Sequence, residues 1–171
     1  EVLKELATRL PNVRLWNLYG QTEIAPLATL LGPEDQLRKP GSCGKAVRNV
    51  ETRVVNDMMQ DVAVDEVGEI VHRSPHLMLG YLHDDERTKA AFEGDWFHSG
   101  DLGVIDDEGY ITVVDRKKDM IISGGLNIYA NDLELVLLQD DDVLDAAVIG
   151  VPSDAWGETP LGLIVQRVGA I

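Results

Sequence analysis

Residues 95–134 read DWFHSGDLGVIDDEGYITVVDRKKDMIISGGLNIYANDLE, and the rest of the chain is organised around them. The stretch sets an Asp in a Gly-flanked turn, Ser99-Gly100-Asp101-Leu102-Gly103. A basic run follows a strand, from Asp115 through Arg116 and Lys117 to Lys118, and a double glycine, Gly124-Gly125, stands at the mouth of an expected helix. A carboxylate accepts hydrogen bonds and a guanidinium donates them. Presented at strand ends, Asp101 and Arg116 can therefore bind a polyhydroxylated ligand such as a ribose. The glycines let backbone approach a ligand closely. Taken alone, an Asp in a Gly turn is also ordinary turn chemistry, and the basic run also reads as a solvated loop.

Working outward, Leu102–Ile105 and Tyr110–Val114 read as strands joined by a hairpin turn, Asp106-Asp107-Glu108-Gly109. Met120–Ser123 is a short strand. Ala130–Gln139 is expected as a helix with Leu133, Val136 and Leu137 on one face, capped by Asn127 or Asn131. Leu144–Val151 and Leu161–Val168 are apolar strands, with Pro152–Pro160 between them. Upstream, Val2, Leu3, Leu6 and Leu10 stand at helical spacing until Pro11-Asn12 ends the pattern. Val13–Tyr19, Val50–Asn56 and Val67–Arg73 read as strands. Leu77–Leu82 is a packed loop rather than a membrane anchor. Asp84–Phe92 is a helix capped by Asp84 or Asp85. The fold class is α+β: a β-rich part followed by the start of a small α+β domain.

Just past the first strand stands Tyr19-Gly20-Gln21-Thr22-Glu23, at a position where α/β proteins place ligands. Tyr19 offers a flat face to a purine, Gly20 a sharp turn, and Thr22 a hydroxyl to a phosphate oxygen. Glu23 is a hard oxygen ligand suited to Mg²⁺, though a carboxylate is also favoured near any helix start. Arg38–Lys45, RKPGSCGK, fails as a phosphate loop: Lys39 stands where its first glycine belongs and Ala46 where Ser or Thr is needed.

Of the 171 residues, 44% are hydrophobic and 26% charged, as in a soluble globular protein. A net charge of −15 argues against a nucleic-acid partner. The single cysteine, Cys43, excludes an internal disulfide and fits a cytoplasmic location. No apolar run is long enough to cross a bilayer as a helix, and no signal-like N-terminus is present. The chain lacks an initiator Met and opens within a helical pattern, so a fragment is expected.

The segments YGQTE, WFHSGDLG, DRKKDMIISGG and NIYANDLE, in this order and spacing, resemble the adenylate-forming superfamily, specifically its acyl-CoA synthetases. The resemblance covers essentially the whole chain. It implies a distorted β-barrel subdomain ending a large adenylation domain over residues 1–117. Residues 118–171 would be a hinge and a truncated small mobile domain. It implies that Asp101 accepts both ribose hydroxyls of ATP or acyl-adenylate and that Arg116 reaches the same ribose. Lys118 would be the hinge, Tyr19, Gly20 and Thr22 part of the nucleotide site, Thr22 and Glu23 catalytic, and Glu23 the Mg²⁺ ligand. Gly124 and Gly125 would line the CoA tunnel, where a side chain would block the thiol. Leu126 and Ala130 depart from the residues common at those positions.

The implied reaction joins a carboxylic acid, a fatty acid by similarity around GQTEIAP and FHSGDLG, to CoA through an acyl-adenylate and AMP. Aryl-acid and amino-acid-activating relatives share these motifs, and a truncated non-catalytic nucleotide-binding or interaction module is the competing reading. No Ser/Thr/Gly-rich loop with Lys is present, and no Lys follows Lys118. The isolated chain is therefore expected to be inactive as a ligase and, with apolar surface exposed, to form a homo-oligomer.

Overall fold

In the computed structural model, which describes residues 2–167, the chain divides into two compact units, Glu1–Val113 and Val114–Ile171. The fold is sheet-rich α+β with a curled half-barrel sheet.

The first unit opens on α1 (Val2–Arg9). The strand expected from Val13 is shorter, β1 (Asn17–Tyr19). Its partner β2 (Thr29–Leu31) pairs only with those three residues, and Val13 instead bonds back to the Leu10 carbonyl. Alternation without a ladder partner makes no strand. A third strand, β3 (Lys45–Ala46), closes this small sheet on the other edge of β2. A second sheet holds β4 (Glu51–Val55), β5 (Gly68–Arg73), β6 (Phe92–Glu93), β7 (Trp96–Ile105) and β8 (Ile111–Arg116), in the order β4-β5-β7-β6, with β8 also on β7. Between β5 and β6 lies α2 (Asp85–Ala90). The Asp84 carboxylate caps it by accepting from the Arg87 N–H. It stops short of the expected Phe92 because Phe92 pairs across β6 with Phe97.

Two apolar clusters fill this unit, one around Cys43, Val54, Ile70 and Ile111, the other around Ile24, Ala28 and Val50. Tyr19 packs against both, which places the end of β1 at the junction of the two. The 77–82 loop departs from expectation. Leu77 packs on the second cluster, but Leu79 is 103% exposed and Leu82 86%.

The second unit is an antiparallel sheet of β9 (Ile121–Ser123), β10 (Leu126–Ile128), β11 (Val143–Ser153) and β12 (Gly157–Gln166), ordered β10-β9-β12-β11. Against it lies α3 (Ala130–Leu137), joined through Ile121, Ala130 and Val148. Both long strands run into the expected 152–160 connection and meet across a turn at 154–156. Pro152 is tolerated because β11 is an edge strand. The expected strand end at Val168 lies outside the described residues. Neither Asn127 nor Asn131 caps α3 with its side chain. The cap is Asp115, whose Oδ2 accepts the Asn131 N–H at 3.2 Å.

Candidate functional site

Asp101 is presented by a bulge. In the ladder between β5 and β7, Glu69 stands opposite Leu102 and Val71 opposite His98. Ile70 therefore faces three residues, Ser99, Gly100 and Asp101. Gly100 takes φ +71°, a conformation that costs a side-chain-bearing residue energy. Bulges bend a strand and re-aim side chains. Here the bulge sends the buried Asp101 side chain to the end of β1.

Two side chains of YGQTE converge on one oxygen there. The Tyr19 hydroxyl donates to Asp101 Oδ2 at 2.7 Å and Gln21 Nε2 donates to the same oxygen at 2.9 Å. Gln21 Nε2 also donates to the Ser99 carbonyl at 2.8 Å. Burial, and then the bond to Asp101, push the Tyr19 hydroxyl well above the ordinary phenol range, so it stays a donor. Tyr19 is half-buried. Gly20 is needed for a different reason from the expected sharp turn: a Cβ there would overlap the Pro26 carbonyl and crowd the Ala28 nitrogen.

Thr22 and Glu23 begin a short 3-10 turn, Thr22–Ile24. Thr22 is exposed and Glu23 half-buried. Glu23 Oε1 accepts from the Tyr81 hydroxyl at 2.9 Å, and the Glu23 carbonyl accepts from the Met78 N–H. Arg87 lies over the Tyr81 ring at 4.1 Å. Among the described residues, the acidic group close enough to share an ion is Asp106-Asp107-Glu108, in a hairpin turn already bridged to Arg38 and Lys39. Glu23 is not part of it. A lone carboxylate of this kind would hold Mg²⁺ only with phosphate oxygens and water completing the shell.

The other expected residues belong to the second unit. Arg116 ends β8 and is exposed; Lys118 lies in the 3-10 turn Lys117–Asp119 and is exposed. Lys118 borders a cleft of about 360 Å³ with Asp115, Asn131, Glu134 and Glu158. Gly124 and Gly125 do not open a helix. They form the two-residue turn between β9 and β10, with φ of +59° and +82°. Left-handed backbone at both central residues is what such a hairpin demands. Gly124 has a second constraint, since a Cβ would sit 2.7 Å from the Trp156 ring.

Gln21, Glu69, Ser99 and Tyr81 did not emerge as site residues from the sequence. Glu69 carried a signal: it is a lone acid in the apolar run Gly68–Val71, and a charge in such a run implies a buried partner.

The AMP-binding enzyme family profile matches residues 1–82. The 2-succinylbenzoate–CoA ligase of Oceanobacillus iheyensis is 38% identical over 157 residues, which are 92% of this chain and 32% of that protein. The long-chain-fatty-acid–CoA ligase of Salmonella typhimurium is 37% identical over 170 residues, 99% of this chain and 30% of that protein. Among solved structures, the o-succinylbenzoate CoA synthetase of Bacillus subtilis, in complex with its acyl-adenylate intermediate, superposes with a TM-score of 0.89 at 34% identity, covering 99% of this chain and 34% of that one. Other structures of that synthetase hold ATP with a magnesium ion, or AMP. The chain spans about a third of the length of these relatives, which are named as CoA ligases and synthetases, and over that span it belongs to the adenylate-forming superfamily of AMP-binding enzymes.

Proposed function

We propose that this chain is the part of an AMP-forming acyl-CoA ligase that holds the nucleotide ribose and carries the pivot between the two half-reactions. Residues 1–117 are read as the C-terminal part of the adenylation domain, and 118–171 as hinge and truncated small domain. The observation that carries the reading is the convergence of Tyr19 and Gln21 on Asp101 Oδ2. It makes two motifs, distant in sequence, into one oriented acceptor. A carboxylate already held in place loses little rotational freedom when it accepts ribose hydroxyls.

In this reading Asp101 accepts the ribose hydroxyls and Arg116 is the guanidinium for the same ribose. Tyr19 lends its ring to the adenine, and Gly20 keeps the loop clear of the 26–28 backbone. Thr22 donates to a phosphate oxygen and Glu23 holds Mg²⁺. When bound, the ion neutralises charge on the phosphates. The acid's carboxylate oxygen bonds to the α-phosphorus and pyrophosphate leaves. The CoA thiolate then bonds to the acyl carbon and AMP leaves. Lys118 is the hinge between these steps, and Gly124-Gly125 lines the thiol's path.

For the acid, a 2-succinylbenzoate ligase and a long-chain-fatty-acid ligase stand at 38% and 37% identity. Identity over this stretch does not rank one above the other. The fatty-acid reading rests on GQTEIAP and FHSGDLG, and a panel of fatty and aryl acids given to the enzyme containing this chain decides it. A cytoplasmic setting is part of the same reading; no helix among the described residues is long and apolar enough to cross a membrane. Exposed Ile149, Leu161, Leu163 and Val165, paired on one face of β11 and β12, support homo-association of the isolated chain.

The test is calorimetric titration of the chain with AMP and with Mg-ATP, beside Asp101→Ala and Asp101→Asn. Binding by the native chain that both variants lose supports the reading. Binding that both variants keep overturns the role of Asp101. No binding by the native chain overturns the reading that this segment by itself holds the nucleotide.

A further inference from the structure

We propose that Glu69 is a positioning residue for Asp101: its buried carboxylate holds open the bulge that presents the Asp. The inference rests on the ribose-binding reading of Asp101, and its test separates the two.

A bulge takes backbone groups out of the ladder, and buried backbone groups must find other partners. Two side chains supply them here. The Ser99 hydroxyl donates to the Ile70 carbonyl at 2.5 Å and accepts the Asp101 N–H at 3.0 Å. Glu69 Oε1 accepts the Gly100 N–H at 3.2 Å. Its other oxygen, Oε2, lies 3.1 Å from Nδ1 of His98, the residue that enters the bulge. Glu69 thus engages the residues on both sides of Ser99.

Burial makes this placement informative. Glu69 is 8% exposed, in a strand whose residues from Gly68 to His72 are all buried. A carboxylate in that environment is costly unless hydrogen-bonded, and an apolar residue would serve packing better. What the carboxylate supplies is an acceptor for Gly100. On the opposite side Gln21 donates to the Ser99 carbonyl and to Asp101. The bulge is thus braced by two side chains besides Ser99, and Glu69 is the one that lies outside the motif segments quoted above. Remove it and the Gly100 N–H loses its acceptor, the turn relaxes, and Asp101 leaves the line set by Tyr19 and Gln21.

The experiment uses the 171-residue chain with Glu69→Ala, Glu69→Asp and Glu69→Gln. It reads Gly100 amide hydrogen exchange by NMR, and the ratio of affinities for AMP and 2′,3′-dideoxy-AMP. Glu69→Ala is expected to speed Gly100 exchange about tenfold, the loss of one hydrogen bond, and to shrink the affinity ratio. Glu69→Asp keeps the charge but is one methylene short, so it is expected to behave the same way, and it serves if the alanine variant does not fold. Glu69→Gln keeps an acceptor oxygen at the same reach and is expected to keep both properties. Unchanged Gly100 exchange in Glu69→Asp overturns the proposal, as does an affinity ratio that stays put while Gly100 exchange rises. If the native chain binds neither nucleotide, the reading that this segment by itself holds the nucleotide falls. Gly100 exchange then still decides whether Glu69 holds the bulge.

Discussion

The Tyr19 hydroxyl donates to Asp101 Oδ2 over 2.7 Å, across 82 residues of chain. With the bond from Gln21, it makes Asp101 a structural acceptor as well as a candidate ligand group. Asp101→Ala leaves the Tyr19 hydroxyl without its acceptor and Gln21 with the Ser99 carbonyl alone, and is expected to cost about 2 to 3 kcal/mol; Asp101→Asn keeps a carbonyl oxygen and costs less. Tyr19→Phe removes one donor and is expected to cost about 1.5 kcal/mol. Urea denaturation of the three variants measures this. An alanine variant as stable as the native chain would sink the account.

The glycines of the two motifs are expected to fail in different ways. Gly20→Ala forces a Cβ onto the Pro26 carbonyl and is expected to cost about 3 kcal/mol. Gly125→Ala meets nothing within 4 Å and bears only the φ of +82°, an expected cost of about 1 kcal/mol. Gly124→Ala adds the Trp156 contact to the same strain and should fall between them. Denaturation midpoints in any other order would contradict these assignments.

Stability should fall as pH drops from about 6.5 to about 4, through His72. The ring is fully buried, with Nδ1 3.0 Å from Thr52 Oγ1 and Nε2 without a hydrogen-bond partner among the described residues. Burial lowers its pKa from the ordinary 6.5 to about 4. Between those values the unfolded chain binds the proton and the folded one does not, so acid favours unfolding. The loss is about 3 kcal/mol over the window. The check is the difference between native and His72→Leu denaturation curves at several pH values. A difference that does not change with pH would show that His72 is not the source.

The isolated chain is expected to make no acyl-CoA from ATP, acid and CoA. It has no phosphate loop with Lys and no Lys beyond Lys118 to meet the carboxylate and phosphate. Coupled detection of AMP and thioester, fatty and aryl acids included, provides the check; thioester above a no-enzyme control overturns the expectation.

Local signals were read well from sequence and non-local ones were not. The cap of α2 was legible to within one residue, Asp84 or Asp85, because a cap needs only three or four adjacent residues, and it is Asp84. The strands at 51–55 and 68–73 were legible from their runs. The helix after Gly124-Gly125 was found, but β10 was missed, because three residues show no periodicity and glycines precede helices and hairpins alike. The motif residues were legible one by one. Their convergence was not, since Tyr19, Gln21 and Asp101 meet only once β1 ends beside the bulge of β7. The cap on α3 was hidden for the same reason, since Asp115 lies 16 residues from the N–H it accepts.

The bulge at Asp101 has an arithmetic consequence. From His98 to Leu102 the strand β7 advances four residues while β5 advances two, from Val71 to Glu69, so the excess is even. An even excess leaves the alternation of faces unchanged: Phe97, Ser99, Asp101 and Gly103 all stay buried. Deleting Gly100 alone would invert every side chain on one side of the gap, whereas deleting Ser99 and Gly100 together would restore a flat, correctly faced ladder. The fold could therefore survive the loss of the turn that presents Asp101 in a single two-codon deletion, and such a chain would keep the sheet without the bulge.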